Sequence, residues 1–187
     1  MCFFATKSSM KIRMKRKLAV VLLICISCHI GWAAQDFVWK SGQNMKVVCD
    51  TTEASVVKVA LDLLKRDCRS VLSGEISRSE STGNIYVGTW GESSVLQALA
   101  DTRQLDVAQL DEHKEAFLLN VLPDGRLVVA GSDKRGTAYG VLELSRMMGV
   151  SPWEWWADAI PEKKEELRLS AGFRKLDYPQ VAYRGIF

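Results

Sequence analysis

One stretch, Gly131 to Asp158 (GSDKRGTAYGVLELSRMMGVSPWEWWAD), sets the terms for the rest of this chain. A charged turn with glycine at both ends, Gly131 and Gly136, follows an apolar strand. Ala138, Val141, Leu142, Ser145 and Met148 then recur at spacings of three and four, which places them on one face of a helix. Gly149 ends that helix, because a left-handed C-terminal cap costs glycine least. Ser151-Pro152 opens an extended segment that carries Trp153, Trp155 and Trp156 and closes at Asp158.

Upstream, Phe37 to Trp39 and Lys46 to Cys49 read as short strands around the turn Ser41 to Asn44. A helix from Glu53 to Leu72 carries Val57, Ala60, Leu61, Leu64, Cys68, Val71 and Leu72 along one stripe. Asp50, Thr51 or Thr52 is its expected cap, with Glu53 in the first turn. Ser77 to Gly83 reads as a polar loop, and Asn84 to Gly88 as a buried strand. Ser93 or Ser94 precedes a short helix, and Leu105 to Leu110 reads as a helical turn. Glu115 to Val121 and Arg126 to Ala130 flank Pro123-Asp124-Gly125, a hairpin. Leu167 to Leu169 reads as an edge strand and Ser170 to Leu176 as a linker. This order predicts a mixed α/β sandwich with its helices on one side.

The first residues belong to a different class. Lys11, Arg13, Lys15, Arg16 and Lys17 precede an apolar run from Leu18 to Ile30, and Ala33-Ala34 follow. This is the pattern of a secretory signal over residues 1–34, too short in its apolar run to be a stable membrane span. Cys28 raises a lipoprotein alternative, against which Cys25 stands where a leucine is usual. The charge follows from this reading. Six of the 25 basic residues and none of the 22 acidic ones lie in residues 1–34, so the net charge passes from +3 to −3 without them. That removes any electrostatic case for nucleic-acid binding. Of the cysteines beyond, Cys49 and Cys68 are open to pairing in an exported chain, but both sit where small buried apolar residues are expected. No Cys/His spacing indicates a metal, and no cofactor is indicated.

The turn Gly131 to Gly136 has glycines and cations before a helix, but Lys-Arg-Gly-Thr lacks the Gly-Lys-Ser/Thr ending of a phosphate loop. The competing reading is structural: Ser132 or Asp133 caps the helix, and Gly136 lets it approach the sheet. Trp153, Trp155 and Trp156 have two readings, stacking on sugar rings or filling a seam between domains, and the seam is favoured. Glycoside hydrolysis commonly needs two opposed carboxylates. Glu143 is expected to be solvated, Glu154 to point outward and Asp158 to cap a turn, and spacing pairs none of them.

The stretch Gly131 to Asp158 resembles the N-terminal domain of glycoside hydrolase family 115, the xylan α-glucuronidases. Val181 to Phe187 resembles the first strand of that family's catalytic barrel. The resemblance implies a hexosaminidase-type accessory domain over residues 35–176, with 177–187 as linker and first strand of a barrel that this chain lacks. It implies that barrel as partner, glucuronoxylan as substrate, catalytic acids further downstream, and no turnover by this chain alone. It sets the turn with Lys134 and Arg135 near the barrel face, suited to a sugar carboxylate, and aims Arg184 at an acidic-sugar pocket in a complete enzyme. Two alternatives stand beside it: the leading domain of a hexosaminidase-like glycosidase, and a stand-alone exported carbohydrate-binding or interaction module.

Overall fold

The computed structural model describes residues 33–181. The signal-like segment through residue 32, and Arg184 with the rest of 182–187, lie outside the described residues. Eight strands are β1 (Phe37–Lys40), β2 (Met45–Val48), β3 (Ile76–Ser79), β4 (Ile85–Thr89), β5 (Phe117–Val121), β6 (Leu127–Gly131), β7 (Glu166–Leu169) and β8 (Arg174–Asp177). The α-helices are α1 (Ser55–Leu72), α2 (Ser94–Asp101), α3 (Lys134–Met148) and the single turn α4 (Glu154–Ala157). A 3-10 turn covers Ala108–Leu110.

Six strands form one mixed sheet in the order β3-β2-β4-β6-β5-β8. The pairs β2–β3, β2–β4 and β4–β6 are parallel, whereas β5–β6 and β5–β8 are antiparallel. Every residue of β4 and β6 is buried, the pattern of strands covered on both faces. The mixed α/β class expected from the sequence is therefore the class observed. A separate antiparallel ribbon, β1 with β7, places Phe37, Trp39, Leu167 and Leu169 in the larger core.

The two faces of the sheet are covered differently. Val47, Ile85, Val87, Leu119 and Val129 face α1 and α3, which pack against each other. Their alternates Val48, Tyr86, Leu118, Val128 and Ala130 face Leu96 and Leu99 of α2 with Leu105, Val107 and Leu110. The expectation of helices on one side is thus corrected. A second small core closes the opposite face, because strand alternation through β4, β5 and β6 is apolar in both directions.

Several local readings change as well. Ser77 to Ser79, read as the start of a polar loop, belong with Ile76 to strand β3, held parallel to β2 despite their hydrophilic side chains. The supposed linker Ser170 to Leu176 contains most of β8, which completes the sheet beside β5. The tryptophan segment is not extended throughout: Glu154 to Ala157 make one helical turn, and Asp158 follows at φ 49°. Asp50 does not cap α1. Its carboxylate accepts from Ser93 Oγ at 2.8 Å and from Ser94 N and Oγ at 3.0 Å each, at the start of α2. Leu142 is 38% exposed, so it leaves the buried stripe of α3 in which Ala138, Val141, Ser145 and Met148 remain.

Candidate functional site

The turn before α3 is shaped by Asp133. Its Oδ1 accepts from the backbone N–H groups of Arg135 and Gly136, both at 2.9 Å, and its Oδ2 from that of Glu115 at 2.9 Å. The amides that would cradle an anion at this helix N-terminus are filled by the protein's own carboxylate, so the capping reading holds. Gly136 is present for space: a Cβ there would meet the Ala116 carbonyl oxygen at 2.1 Å. Lys134 is exposed. Arg135 donates to Glu115 at 3.0 Å, and that carboxylate keeps its guanidinium above the ordinary arginine value.

The tryptophans lie at the other end of α3. Lys134 and Arg135 open this 15-residue helix and the tryptophans follow its end, so the length of the helix, roughly 20 Å at 1.5 Å per residue, lies between the two groups. Lys134 and Arg135 therefore do not share a pocket with the aromatic segment. Trp153 is 64% exposed and Trp156 82% exposed. Trp155 lies on the same helical turn, and Asp158 is exposed at its C-terminal end.

Between these ends runs a groove of about 430 Å³, lined mainly by apolar side chains of α1, α3 and the Pro152 segment, with Asp67, Glu143 and Glu154 among its polar groups. All three carboxylates are held by cations. Arg66 donates to Asp67 at 2.7 Å and to Glu154 at 3.1 Å. Glu143 accepts from Arg146 and from Lys175 of β8, both at 2.6 Å. Burial works against the Glu143 charge, but hydrogen bonds from Arg146 and Lys175 outweigh it and hold its carboxyl below the ordinary value. The expectations of a solvated Glu143 and an outward Glu154 are both corrected. A general acid for glycoside cleavage needs a raised value, and Glu143 is moved the other way.

Sequence reasoning missed two further polar features. Glu53, Thr89 and Thr137 form a buried hydrogen-bonded cluster where β4 meets α3. Ser145 Oγ, at the base of the groove, is buried without a hydrogen-bond partner. Neither is signalled by spacing, because each depends on which neighbours the sheet brings. Cys49 and Cys68 are free thiols. Among the described residues no group of three His, Cys, Asp or Glu is placed to hold a metal ion. No described helix is long and apolar enough to cross a membrane.

Among solved structures, BtGH115A, a family GH115 4-O-methyl-α-glucuronidase with specificity for decorated arabinogalactans, matches 79% of this chain at 52% identity and TM-score 0.74. The kinship of this chain is with the N-terminal portion of glycoside hydrolase family 115. The matched part is 19% of that enzyme, so the chain spans under a fifth of its relative's length. A structure of CpGH84D shares the fold over 79% of this chain, at 17% identity and TM-score 0.55, and the match spans 22% of that protein. A β-hexosaminidase of Streptomyces plicatus, bearing a point substitution, aligns more loosely, at TM-score 0.47 and 18% identity over 81% of this chain and 25% of its own. No family model and no curated protein sequence matches. The family resemblance carried by Gly131 to Asp158 is therefore supported over most of the chain. Arg184 lies outside the described residues, and no ligand bears on the roles expected of Lys134, Arg135 or the tryptophans.

Proposed function

We propose that this chain is the accessory leading domain of an exported glycoside hydrolase that removes glucuronic or 4-O-methylglucuronic acid from plant polysaccharide. The observation that carries the reading is the 52% identity to a family GH115 4-O-methyl-α-glucuronidase over 79% of the chain. The acids of the described groove support it from the other side, because each is tied to a cation. The domain's task is to support a catalytic portion, and the catalytic acids belong to that portion. The polymer is set by the decorated sugar: the relative is described for arabinogalactans, and glucuronoxylan carries the same glucuronosyl group. Lys134, Arg135 and the tryptophans serve the junction with that portion, and Arg184 belongs with its acidic-sugar pocket.

The test is release of 4-O-methylglucuronic acid from decorated arabinogalactan and from glucuronoxylan. It compares this chain alone with this chain joined to the part of BtGH115A that lies beyond the match. The joined protein is expected to turn over one or both polymers, and the chain alone neither. Turnover by the chain alone would overturn the accessory reading. Export is tested separately by N-terminal sequencing of secreted material, where retention of Lys15 would defeat it.

A further inference from the structure

At the β3 edge of the main sheet, the flank of α1 and strand β3 enclose a cleft of about 460 Å³. It shares no residue with the groove between α1 and α3, and its volume is that of ordinary ligand clefts. Its floor is apolar, with buried Leu61 and Ile76 over Val47. Its rim is cationic: Lys58 and Lys65 are half-buried, and Arg78 is exposed. The sequence brings these groups together. Lys58, Asp62 and Lys65 recur at spacings of four and three, so they share one flank of α1. Arg78 alternates with Ser77 along β3 and shares the face on which Ile76 joins the core.

The charges of this rim are unlike those of the rest of the surface. Arg66, Arg69, Arg126, Arg135, Arg146 and Arg168 each hold a carboxylate. Among the described residues, Lys58, Lys65 and Arg78 are closed into no ion pair. Lys58 donates to the Thr51 carbonyl at 2.9 Å, and the Arg78 charge acts on the nearby Cys49 thiol. Glu75, the acid that feels the Lys65 charge, is already taken by Arg69 at 2.6 Å. One acid, the exposed Asp62, therefore faces three cations in a chain that is net acidic beyond residue 34. A guanidinium has more donors than one thiol can engage, and its fork matches a carboxylate. An apolar floor beneath a cationic rim with one acceptor fits a ring that has a C–H face, a carboxylate and hydroxyls.

We propose that this cleft is a surface binding site for a uronosyl residue of an acidic polysaccharide. The ring lies over Leu61 and Ile76, its carboxylate meets Arg78 and the lysines, and Asp62 accepts from its hydroxyls. The site tethers the polymer, and no bond is made or broken there. β3 and β8 are opposite edges of the six-stranded sheet, about 24 Å apart at about 4.8 Å per strand, so the tether stands well away from the β8 end of the domain.

The experiment titrates this chain by calorimetry, at low salt, with three acidic oligosaccharides. These are a 4-O-methylglucuronosyl xylo-oligosaccharide, a glucuronosyl arabinogalactan oligosaccharide and an oligogalacturonate, each beside its carboxyl-reduced counterpart. At least one acidic form is expected to bind saturably, and which one binds names the source of the uronosyl group. Reduction of the carboxyl should weaken binding about tenfold or more, the loss of a charge-assisted contact. Arg78→Gln should weaken it to the same extent at an unchanged thermal midpoint, since Arg78 is exposed. The double variant Lys58→Met with Lys65→Met keeps the apolar stems over the floor and should also lose about tenfold. Wild-type affinity in both variants would overturn the site. Normal binding accompanied by association of the variants would assign the cations to guarding the β3 edge against strand pairing, and would overturn it equally. Dextran sulfate bound as tightly as the uronosyl sugars would reduce the cleft to a general anion patch and defeat the sugar assignment. Failure of the wild-type chain to bind any of the three would overturn the site, while the accessory-domain reading stands or falls separately on acid release by the joined protein.

Discussion

Glu53 reaches across the domain to Thr89, accepting from its backbone N–H at 3.0 Å and from its Oγ1 at 2.7 Å. Glu53 is 4% exposed, and Thr89 Oγ1 lies 2.9 Å from the hydroxyl of Thr137 on α3. The chain of hydroxyls joins the entry to α1, the end of β4 and the start of α3. Both Glu53 oxygens face donors, since Ala54 N–H approaches Oε1 at 3.3 Å. Glu53→Gln keeps the shape but turns an NH₂ toward one of those donors. It is expected to lower stability by about 1–3 kcal/mol, read as a shift in urea midpoint at unchanged slope. An unchanged midpoint would mean that the cluster is not formed in solution.

Two glycines of α3 should respond differently. Gly136 has no room, since its Cβ would enter the Ala116 carbonyl, a backbone atom that cannot step aside. Gly136→Ala should cost about 3 kcal/mol or more and should perturb the β5 end of the sheet. At Gly149 a Cβ would press only on the flexible end of Lys164, at 3.1 Å, but φ has the wrong sign for other residues, at 102°, and the Gly149 N–H caps α3 by donating to Arg146 O. Gly149→Val should cost about 1 kcal/mol or more while leaving the fold unchanged. Thermal denaturation of both variants checks the order of the two effects.

Glu143 predicts an acid-sensitive tie between α3 and β8. Its carboxyl is held below the ordinary value of 4.5, so the unfolded chain takes up its proton first as pH falls. The stabilisation is fully present above about that value and is lost as pH falls through the folded one. Lys175→Met should remove part of it, about 1 kcal/mol after allowance for solvent screening, and should flatten the decline in stability below that pH. Denaturant melts of wild type and variant across this window make the comparison. Parallel profiles would show that Lys175 does not sustain the Glu143 charge.

The thiols should be inert in the folded domain. Burial pushes Cys68 up to about 11 and also raises Cys49. Attack requires the thiolate, so alkylation at pH 8 should be slow at both sites until the domain is unfolded. Peptide-mapped labelling measures it. Rapid native labelling of Cys68 would contradict its place in the core.

The unit from β6 through α3 to Gly149 was legible because each of its signals is local. The apolar period marks the buried stripe, Asp133 can cap only the helix that follows it, and Gly149 adopts a φ that other residues resist. Leu142 was misplaced for a reason of degree: at the edge of the stripe, spacing cannot say whether a residue faces the sheet or the outside. β3 and β8 were missed because Ser77, Arg78, Arg174 and Lys175 carry little strand preference of their own. Their conformation comes from the edges of β2 and β5 to which they pair.

The amino-acid sequence by itself determined the α/β class, the two long helices, the capped turn and the kinship with family GH115, all properties of short windows. Only the tertiary structure decided where the charges go. Asp50 caps a helix 44 residues away, Glu154 meets Arg66 across 88 residues, and Lys175 meets Glu143 across 32. Such partners are chosen by the order of strands in the sheet and the packing of α1 on α3. Ion pairs act over a few ångströms and are indifferent to sequence distance, so no window of sequence contains them.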